Sequence, residues 1–80
     1  MINHMLEIHE LTFREIHIIR FIQEGYSSKE IAAQLAISEK TIKRHRQNIS
    51  KKAGTNGKMD FRKFIMNFPT IYGVKSTINC

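Results

Sequence analysis

The chain has 80 residues, which suffice for one small domain with a modest core and leave little room for a catalytic cleft. Lysine and arginine number 13 against 7 aspartate and glutamate residues, and the net charge of +6 favours a polyanionic partner, either nucleic acid or an anionic membrane surface. No apolar run approaches the roughly 20 residues that cross a bilayer, and the first residues lack a signal-peptide pattern. The single cysteine, Cys80, and four scattered histidines have no metal-ligand spacing. We therefore expect a cytoplasmic protein that has no metal or cofactor and does not bind membranes.

The first predicted helix follows a lead-in, residues 1–10, and begins at a capping box formed by Thr12 and Glu15. In this motif each side chain accepts a hydrogen bond from the other residue's backbone amide, which satisfies two amides at the helix start. Apolar residues then recur at helical spacing on one face, and Gly25 ends the helix after Glu24. The pattern predicts a helix with one side packed against a core.

A second capping box, formed by Ser27 and Glu30, begins a short helix. Its apolar face comprises Ile31, Ala32 and Leu35, and the small Ala32 allows another helix to approach closely. The apolar period breaks after Leu35, which predicts a turn of about three residues before the next helix.

The third predicted helix covers residues 39–53, with Ser38 as its N-cap and Gly54 at its end. At about 100° per residue, its apolar side chains lie on one side and its basic and amide side chains on the other. The latter are Lys40, Lys43, Arg44 and Gln47. Three further cations, Arg46, Lys51 and Lys52, lie off that side, and either simple solvent exposure or a long-range electrostatic role explains them equally well.

A fourth predicted helix covers residues 58–68 and stops before Pro69. Its large apolar side chains recur at i, i+3, i+4 and i+7; they are Phe61, Phe64, Ile65 and Phe68. A domain of this size cannot bury every large ring, so one edge of the stripe is expected to pair two copies of the domain. The alternative is that all four side chains pack into the core. The domain thus spans residues 11–68, and residues 69–80 form a tail without assigned structure.

Residues 27–53 combine a short helix, a turn and a longer helix with a basic outer side, which is a helix-turn-helix arrangement. A helix fits the major groove of B-form DNA, where lysine and arginine suit guanine and glutamine suits adenine. The pattern predicts an all-α fold of four helices with a tri-helical core. It also predicts contacts with base edges by four side chains, namely Lys40, Lys43, Arg44 and Gln47.

Several short motifs occur in a fixed order along the chain. They are Leu11-Thr12-x-Arg14-Glu15, Gly25, Ser28-Lys29-Glu30-Ile31-Ala32, Leu35, Ile37-Ser38-Glu39-Lys40-Thr41-Ile42-Lys43-x-His45 and Asn48-Ile49-x-x-Lys52. This ordered set, which covers roughly residues 11–66, resembles the LuxR/GerE-type DNA-binding domain of bacterial transcription regulators.

The resemblance implies sequence-specific binding of double-stranded DNA for the regulation of transcription, with the third helix in the major groove. It also implies phosphate contacts by Ser38, Thr41 and His45, and a fourth helix that pairs two domains on an inverted-repeat site. Partial packing of the His45 ring is the alternative for that residue. Domains of this type usually follow a receiver or ligand-binding domain. The chain is thus expected to be a stand-alone regulator or a response-regulator effector domain, with RNA polymerase or the regulatory domain as further partners.

Two other interpretations remain open. A sigma-factor region bound to RNA polymerase shares the helix-turn-helix, but such regions do not typically place a helix like residues 58–68 after the recognition helix. A protein-interaction module that has lost DNA binding shares the fold, but the intact basic side of the third helix argues against it. An enzyme is not predicted, because no nucleophile–base pair or ligand cluster appears and the carboxylates Glu15 and Glu30 complete capping boxes.

Overall fold

The computed structural model describes residues 10–69, which form four α-helices and contain no strand. The helices are α1 (Phe13–Gln23), α2 (Ser28–Leu35), α3 (Glu39–Ala53) and α4 (Lys58–Asn67). The predicted all-α architecture is confirmed, and the helix ends differ from the predicted ones by a single residue in α1 and α4. Most of the predicted lead-in and tail, including Cys80, lies outside the described residues. None of the four helices is long and apolar enough to cross a membrane.

Side-chain caps determine where the first three helices begin. In α1, Thr12 Oγ1 accepts from the Glu15 amide and Glu15 Oε1 accepts from the Thr12 amide, each at 3.0 Å. Ser27 and Glu30 form the same reciprocal pair at the start of α2, at 3.1 and 2.8 Å. Ser38 Oγ accepts from the Thr41 amide at 3.0 Å at the start of α3. All three predicted caps are confirmed.

The core is built mainly from isoleucine side chains of the first three helices. Five are completely buried: Ile18, Ile19, Ile31, Ile42 and Ile49. Because these residues come from the predicted apolar faces of α1, α2 and α3, the tri-helical core follows from the sequence pattern. The apolar side of α3 is thereby held against the core, and its opposite side faces solvent.

The apolar stripe of α4 is divided between the core and its edge. Ile65 and Phe68 are core residues that are each 3% exposed, whereas Phe61 and Phe64 are half-buried against the core. Side chains buried this deeply offer no surface to a second copy. A seam between two copies would therefore involve Phe61 and Phe64, together with the exposed Met59, and not the two buried members.

A three-residue turn joins α2 to α3 and sets the angle between them. Ala36 adopts the left-handed conformation, with φ 58° and ψ 40°. The Ile37 amide then donates to the Ala32 carbonyl at 3.1 Å, which closes the end of α2. Ser38 follows in an extended conformation and caps α3. The chain thus reverses direction sharply enough for α2 to pack against α3.

The end of α4 is attached to α1 by one side chain. Gln23 Nε2, at the last turn of α1, donates to the Ile65 carbonyl at 2.9 Å and to the Phe68 carbonyl at 3.0 Å. Carbonyls in the last turn of a helix have few intrahelical partners, and the Gln23 amide supplies a donor to two of them; the Ile65 carbonyl also accepts from the Phe68 amide at 3.3 Å. This attachment holds α4 beside the tri-helical core.

Candidate nucleic-acid interface

The outer face of α3 is an exposed surface of hydrogen-bonding side chains. All four predicted base-edge residues, Lys40, Lys43, Arg44 and Gln47, are exposed. Together with Thr41 they line one surface depression of about 450 Å³. The structure therefore brings the predicted side chains together on the side of α3 opposite the buried Ile42 and Ile49.

Most of the charge on this outer face is not neutralised within the domain. Lys43 Nζ lies 3.5 Å from Glu39 Oε2, but their side chains are 63% and 45% exposed, so the pair contributes little stability and separates easily. Within residues 10–69, no ion pair or side-chain hydrogen bond engages Lys40, Arg44 or Gln47. These groups are available to an external partner without the loss of a strong internal contact.

Two hydroxyls lie at the start of α3 beside the outer face. Ser38 and Thr41 are exposed, and their hydroxyl oxygens are 2.9 Å apart. Each hydroxyl carries one hydrogen, and only one of the two hydrogens is used in their mutual hydrogen bond. The pair thus retains one O–H donor next to the positive end of the helix dipole, an arrangement suited to an anion.

His45 is half-buried, so the predicted alternative of partial packing describes its ring. Its Nδ1 atom is buried and has no hydrogen-bond partner in the described part of the chain. Because Nδ1 is buried, it is out of reach of an external group, and Nε2 is the ring nitrogen that remains to donate to a phosphate.

Simple solvent exposure, one of the two interpretations offered for Lys52 from the sequence, is wrong. Lys52 Nζ lies 2.9 Å from Glu15 Oε1 and also donates to the Glu10 carbonyl at 3.1 Å. The Glu15 side chain is only 4% exposed and is simultaneously the cap of α1. Lys52 is therefore a structural residue that connects the last turn of α3 to the first turn of α1. No sequence periodicity points to this pair, because its members lie in different helices.

The environment of Glu15 favours its charged form. Burial alone raises the pKa of a carboxyl group, but here the hydrogen bonds from Lys52 and the Thr12 amide oppose it. The positive charge of Lys52 and the electrostatic influence of His45 act in the same direction as those hydrogen bonds. The net result is a Glu15 pKa below its ordinary value, and the carboxylate is charged at neutral pH.

Arg46 is likewise not simply exposed to solvent, since its guanidinium is packed over the Phe61 ring at 5.5 Å from the centroid. The residue is half-buried and links α3 to α4. Lys51, in contrast, is exposed. One cation near the outer face of α3 was missed: Lys58, at the start of α4, shares a depression of about 420 Å³ with Lys43 and Gln47. Because Lys58 lies in another helix, the angular spacing of residues along α3 could not predict its position near this face.

A metal site is not found in residues 10–69, where no three or more histidine, cysteine, aspartate and glutamate side chains converge. The chemistry of this surface is therefore that of cationic, amide and hydroxyl hydrogen-bonding groups.

Comparison with known proteins gives matches along most of the described chain. Residues 9–64 match the family of bacterial regulatory proteins called the luxR family. The Fimbriae Z protein of Salmonella typhimurium is 48% identical over 44 residues, which are 55% of this chain and 21% of that protein. The transcriptional regulatory protein DegU of Brevibacillus brevis is 43% identical over 49 residues, 61% of this chain and 21% of the relative. No solved structure matches.

A longer match is found with the oxygen regulatory protein NreC of Staphylococcus aureus, 36% identical over 56 residues, 70% of this chain. The chain spans between 21% and 26% of the length of these curated relatives. Since the family match covers more than half of the chain and coincides with the four-helix fold, the chain belongs to the luxR family of bacterial regulatory proteins and carries its helix-turn-helix domain.

Proposed function

We propose that this chain binds double-stranded DNA at specific sequences and thereby regulates transcription, with α3 inserted as the recognition helix in the major groove. The single observation that carries this proposal is the outer face of α3, where four cationic and amide side chains share one exposed surface and only Lys43 has an internal partner, the exposed Glu39. Lysine, arginine and glutamine are the side chains that match the hydrogen-bonding groups of guanine and adenine. A bacterial regulator of this kind acts in the cytoplasm.

Phosphate contacts would set the position of α3 in the groove. Ser38 and Thr41 retain an O–H donor at the start of the helix, and His45 can donate from Nε2. Lys58 extends the positive surface from the outer face of α3 to the start of α4. Contacts of this type carry affinity but no sequence information, so they complement the base contacts.

A single domain of this size contacts only a few base pairs, which favours two domains on one roughly palindromic operator. In the proposed pair, the surface of α4 near Phe61, Phe64 and Met59 forms the contact. The names of the relatives, which include transcriptional and oxygen regulatory proteins, support control by a regulatory domain outside the matched residues, with RNA polymerase as a further partner.

Selection of binding sites from random duplex DNA with the 80-residue chain tests this function. We expect an enriched motif, to which Lys43→Ala binds about 1–3 kcal/mol more weakly and with a blurred preference at one base pair. The matched control is Lys51→Ala, which removes the same charge from an exposed position of the same helix. Equal effects of the two substitutions, or selection without an enriched motif, would contradict recognition by α3 and favour the protein-interaction module.

A further inference from the structure

A second groove, of about 540 Å³, runs along α4 where this helix faces α1 and α3, and we call it the α4 groove. Three cations line it: Arg46 of α3 and Lys58 and Arg62 of α4. None of the four side chains of the outer face of α3 lines it, and neither does any carboxylate. The groove therefore adjoins the depression beside α3, with which it shares Arg46, Lys58 and Phe61, and extends away from it along α4 to Arg62 and Met66.

Apart from the amide side chain of Gln23, the rest of the α4 groove is formed by apolar side chains. They are Ile22 of α1 and Phe61, Ile65 and Met66 of α4. The α4 residues that line the groove recur from Lys58 to Met66 at helical spacing, which makes a continuous strip of about 12 Å along the helix. Met66 is 73% exposed, and methionine adapts its shape readily to different partners.

The guanidinium of Arg46 lacks an anion. It is half-buried and stacks on Phe61, and within residues 10–69 it forms no ion pair. Burial removes hydration from the cation and lowers the pKa of Arg46, and no neighbouring carboxylate compensates for this loss. A carboxylate supplied from outside would restore the missing interaction at a site where water is already partly excluded.

The chain itself is poorly equipped to supply such carboxylates. Four of its seven acidic residues are already engaged, Glu15 and Glu39 in ion pairs and Glu30 and Asp60 on backbone amides. Residues 70–80 contain no aspartate or glutamate. A second copy centred on the groove itself, and not on the proposed seam around Met59, Phe61 and Phe64, would bring its own Lys58 and Arg62 against the same cations, and such like-charge contacts are unfavourable.

The geometry points to an acidic amphipathic helix of a partner protein as the occupant of the α4 groove, with carboxylates on Arg46, Lys58 and Arg62. The apolar side of that helix lies on Phe61 and Met66, where a phosphate backbone would have nothing to bind. Recognition of an amphipathic helix in a groove combines these two components, apolar burial for affinity and charge complementarity for specificity. This interaction is additional to DNA binding: it shares Lys58 with the proposed phosphate-binding surface, whereas Arg62, Ile65 and Met66 line only the α4 groove.

The test uses a fluorescein-labelled amphipathic peptide of leucine, glutamate and alanine with the full 80-residue chain. Fluorescence anisotropy measures affinity, and amide chemical shifts locate the contact. We expect binding that shifts the signals of Arg62, Ile65 and Met66. Arg62→Glu should weaken binding about tenfold. Lys63→Glu, which makes the same change of charge one residue away and outside the groove, should weaken it by less than about twofold.

Four results would overturn the proposal. One is equal weakening by the two substitutions, and another is equal binding of a peptide with serine in place of leucine, since both indicate attraction by net charge alone. A third is a peptide-induced shift confined to Lys40, Lys43, Arg44 and Gln47. The fourth is an absence of peptide binding together with one of two further results. Either the protein forms dimers that Arg62→Glu dissociates, or addition of duplex DNA shifts the amide signals of residues in the α4 groove. Duplex binding by Arg62→Glu, measured in parallel, separates failure of this proposal from failure of DNA recognition.

Discussion

Glu15 has two structural roles, because its carboxylate caps α1 and also binds Lys52 of α3. A capping glutamate is usually solvated, and the capping box would be complete without a lysine. The pair adds a charged hydrogen bond between the first turn of α1 and the last turn of α3. Loss of Lys52 would leave a buried carboxylate with its cap contacts but without its counter-ion.

Lys52→Met keeps the apolar stem and removes this counter-ion. We expect the free energy of unfolding at neutral pH to fall by about 2 kcal/mol, because a buried charge loses its charged hydrogen bond. Folding depresses the pKa of Glu15 in the wild type, so the contribution of the pair is present above the ordinary value of 4.5. It disappears as the pH falls through the lower pKa of the folded state.

Urea unfolding of both proteins at several pH values checks this expectation. The difference between wild type and Lys52→Met should shrink on acidification, since Glu15 then becomes neutral in both proteins. Lys51→Met is the control, as Lys51 occupies an exposed position one residue away and its substitution should leave stability nearly unchanged. A difference that stays constant with pH would mean that the hydrogen bond from Lys52 to the Glu10 carbonyl, and not the ion pair with Glu15, stabilises the fold.

Ala36 is the one residue other than glycine with a positive φ among residues 10–69. The left-handed conformation brings the β-carbon of an L-residue too close to the following carbonyl, whereas glycine adopts it freely. Ala36→Gly should therefore raise the free energy of unfolding by about 0.5–1 kcal/mol, as measured by urea or thermal unfolding. Ala33→Gly, at an exposed position inside α2, should lower it by about 1 kcal/mol. Destabilisation by both would contradict the strain assigned to Ala36.

At the scale of the helices, the sequence was informative wherever the signal was local. Capping boxes, terminal glycines and apolar periods predicted α1 to α4 to within a residue, and the outer face of α3 followed from angular spacing. Contacts between helices were not predictable in this way. Three such contacts join residues far apart in the chain, and nothing in the local sequence marks them. They are Glu15 with Lys52, Arg46 with Phe61, and Gln23 with the end of α4.

The attachment of α4 by Gln23 leads to an expectation about that helix as a unit. Gln23→Met keeps the side-chain length but removes both hydrogen bonds to the Ile65 and Phe68 carbonyls, at a cost of about 1–2 kcal/mol. Hydrogen exchange of the α4 amides should accelerate more than that of the α2 amides, because the lost bonds belong to α4. Gln34→Met, at an exposed site of α2, serves as the control. Equal acceleration in both helices would show that α4 unfolds only with the whole domain.

At the scale of the whole molecule, the net charge of +6 should govern the salt dependence of DNA binding. Each phosphate neutralised contributes about −0.9 to the slope of log affinity against log salt. Arg44→Ala on the outer face of α3 should alter that slope by about 0.9 if Arg44 binds a phosphate, and should leave it unchanged if its only contacts are base edges. Titration of a selected duplex at several salt concentrations distinguishes the two.

Lys63→Ala provides the control for this titration, because Lys63 is exposed on α4 and lines neither the outer face of α3 nor the α4 groove. Loss of the Lys63 charge should slow association with DNA slightly, because it weakens the overall electrostatic attraction of the domain. It should leave the slope of log affinity against log salt nearly unchanged. Binding with no salt dependence at all would exclude the proposed electrostatic mode of DNA binding.

The hydrogen bonds of Gln23 also bear on how the chain folds as it leaves the ribosome. The acceptors for its side-chain amide are carbonyls that lie 42 and 45 residues further along the chain. The Lys52 partner of Glu15 likewise arrives 37 residues later. During synthesis, α1 therefore emerges with its cap formed and its long-range partners still missing, and local contacts alone stabilise it. We expect the domain to acquire its native stability in a single late step, after Phe68 has cleared the exit tunnel, and nascent chains that end before this residue to remain sensitive to protease.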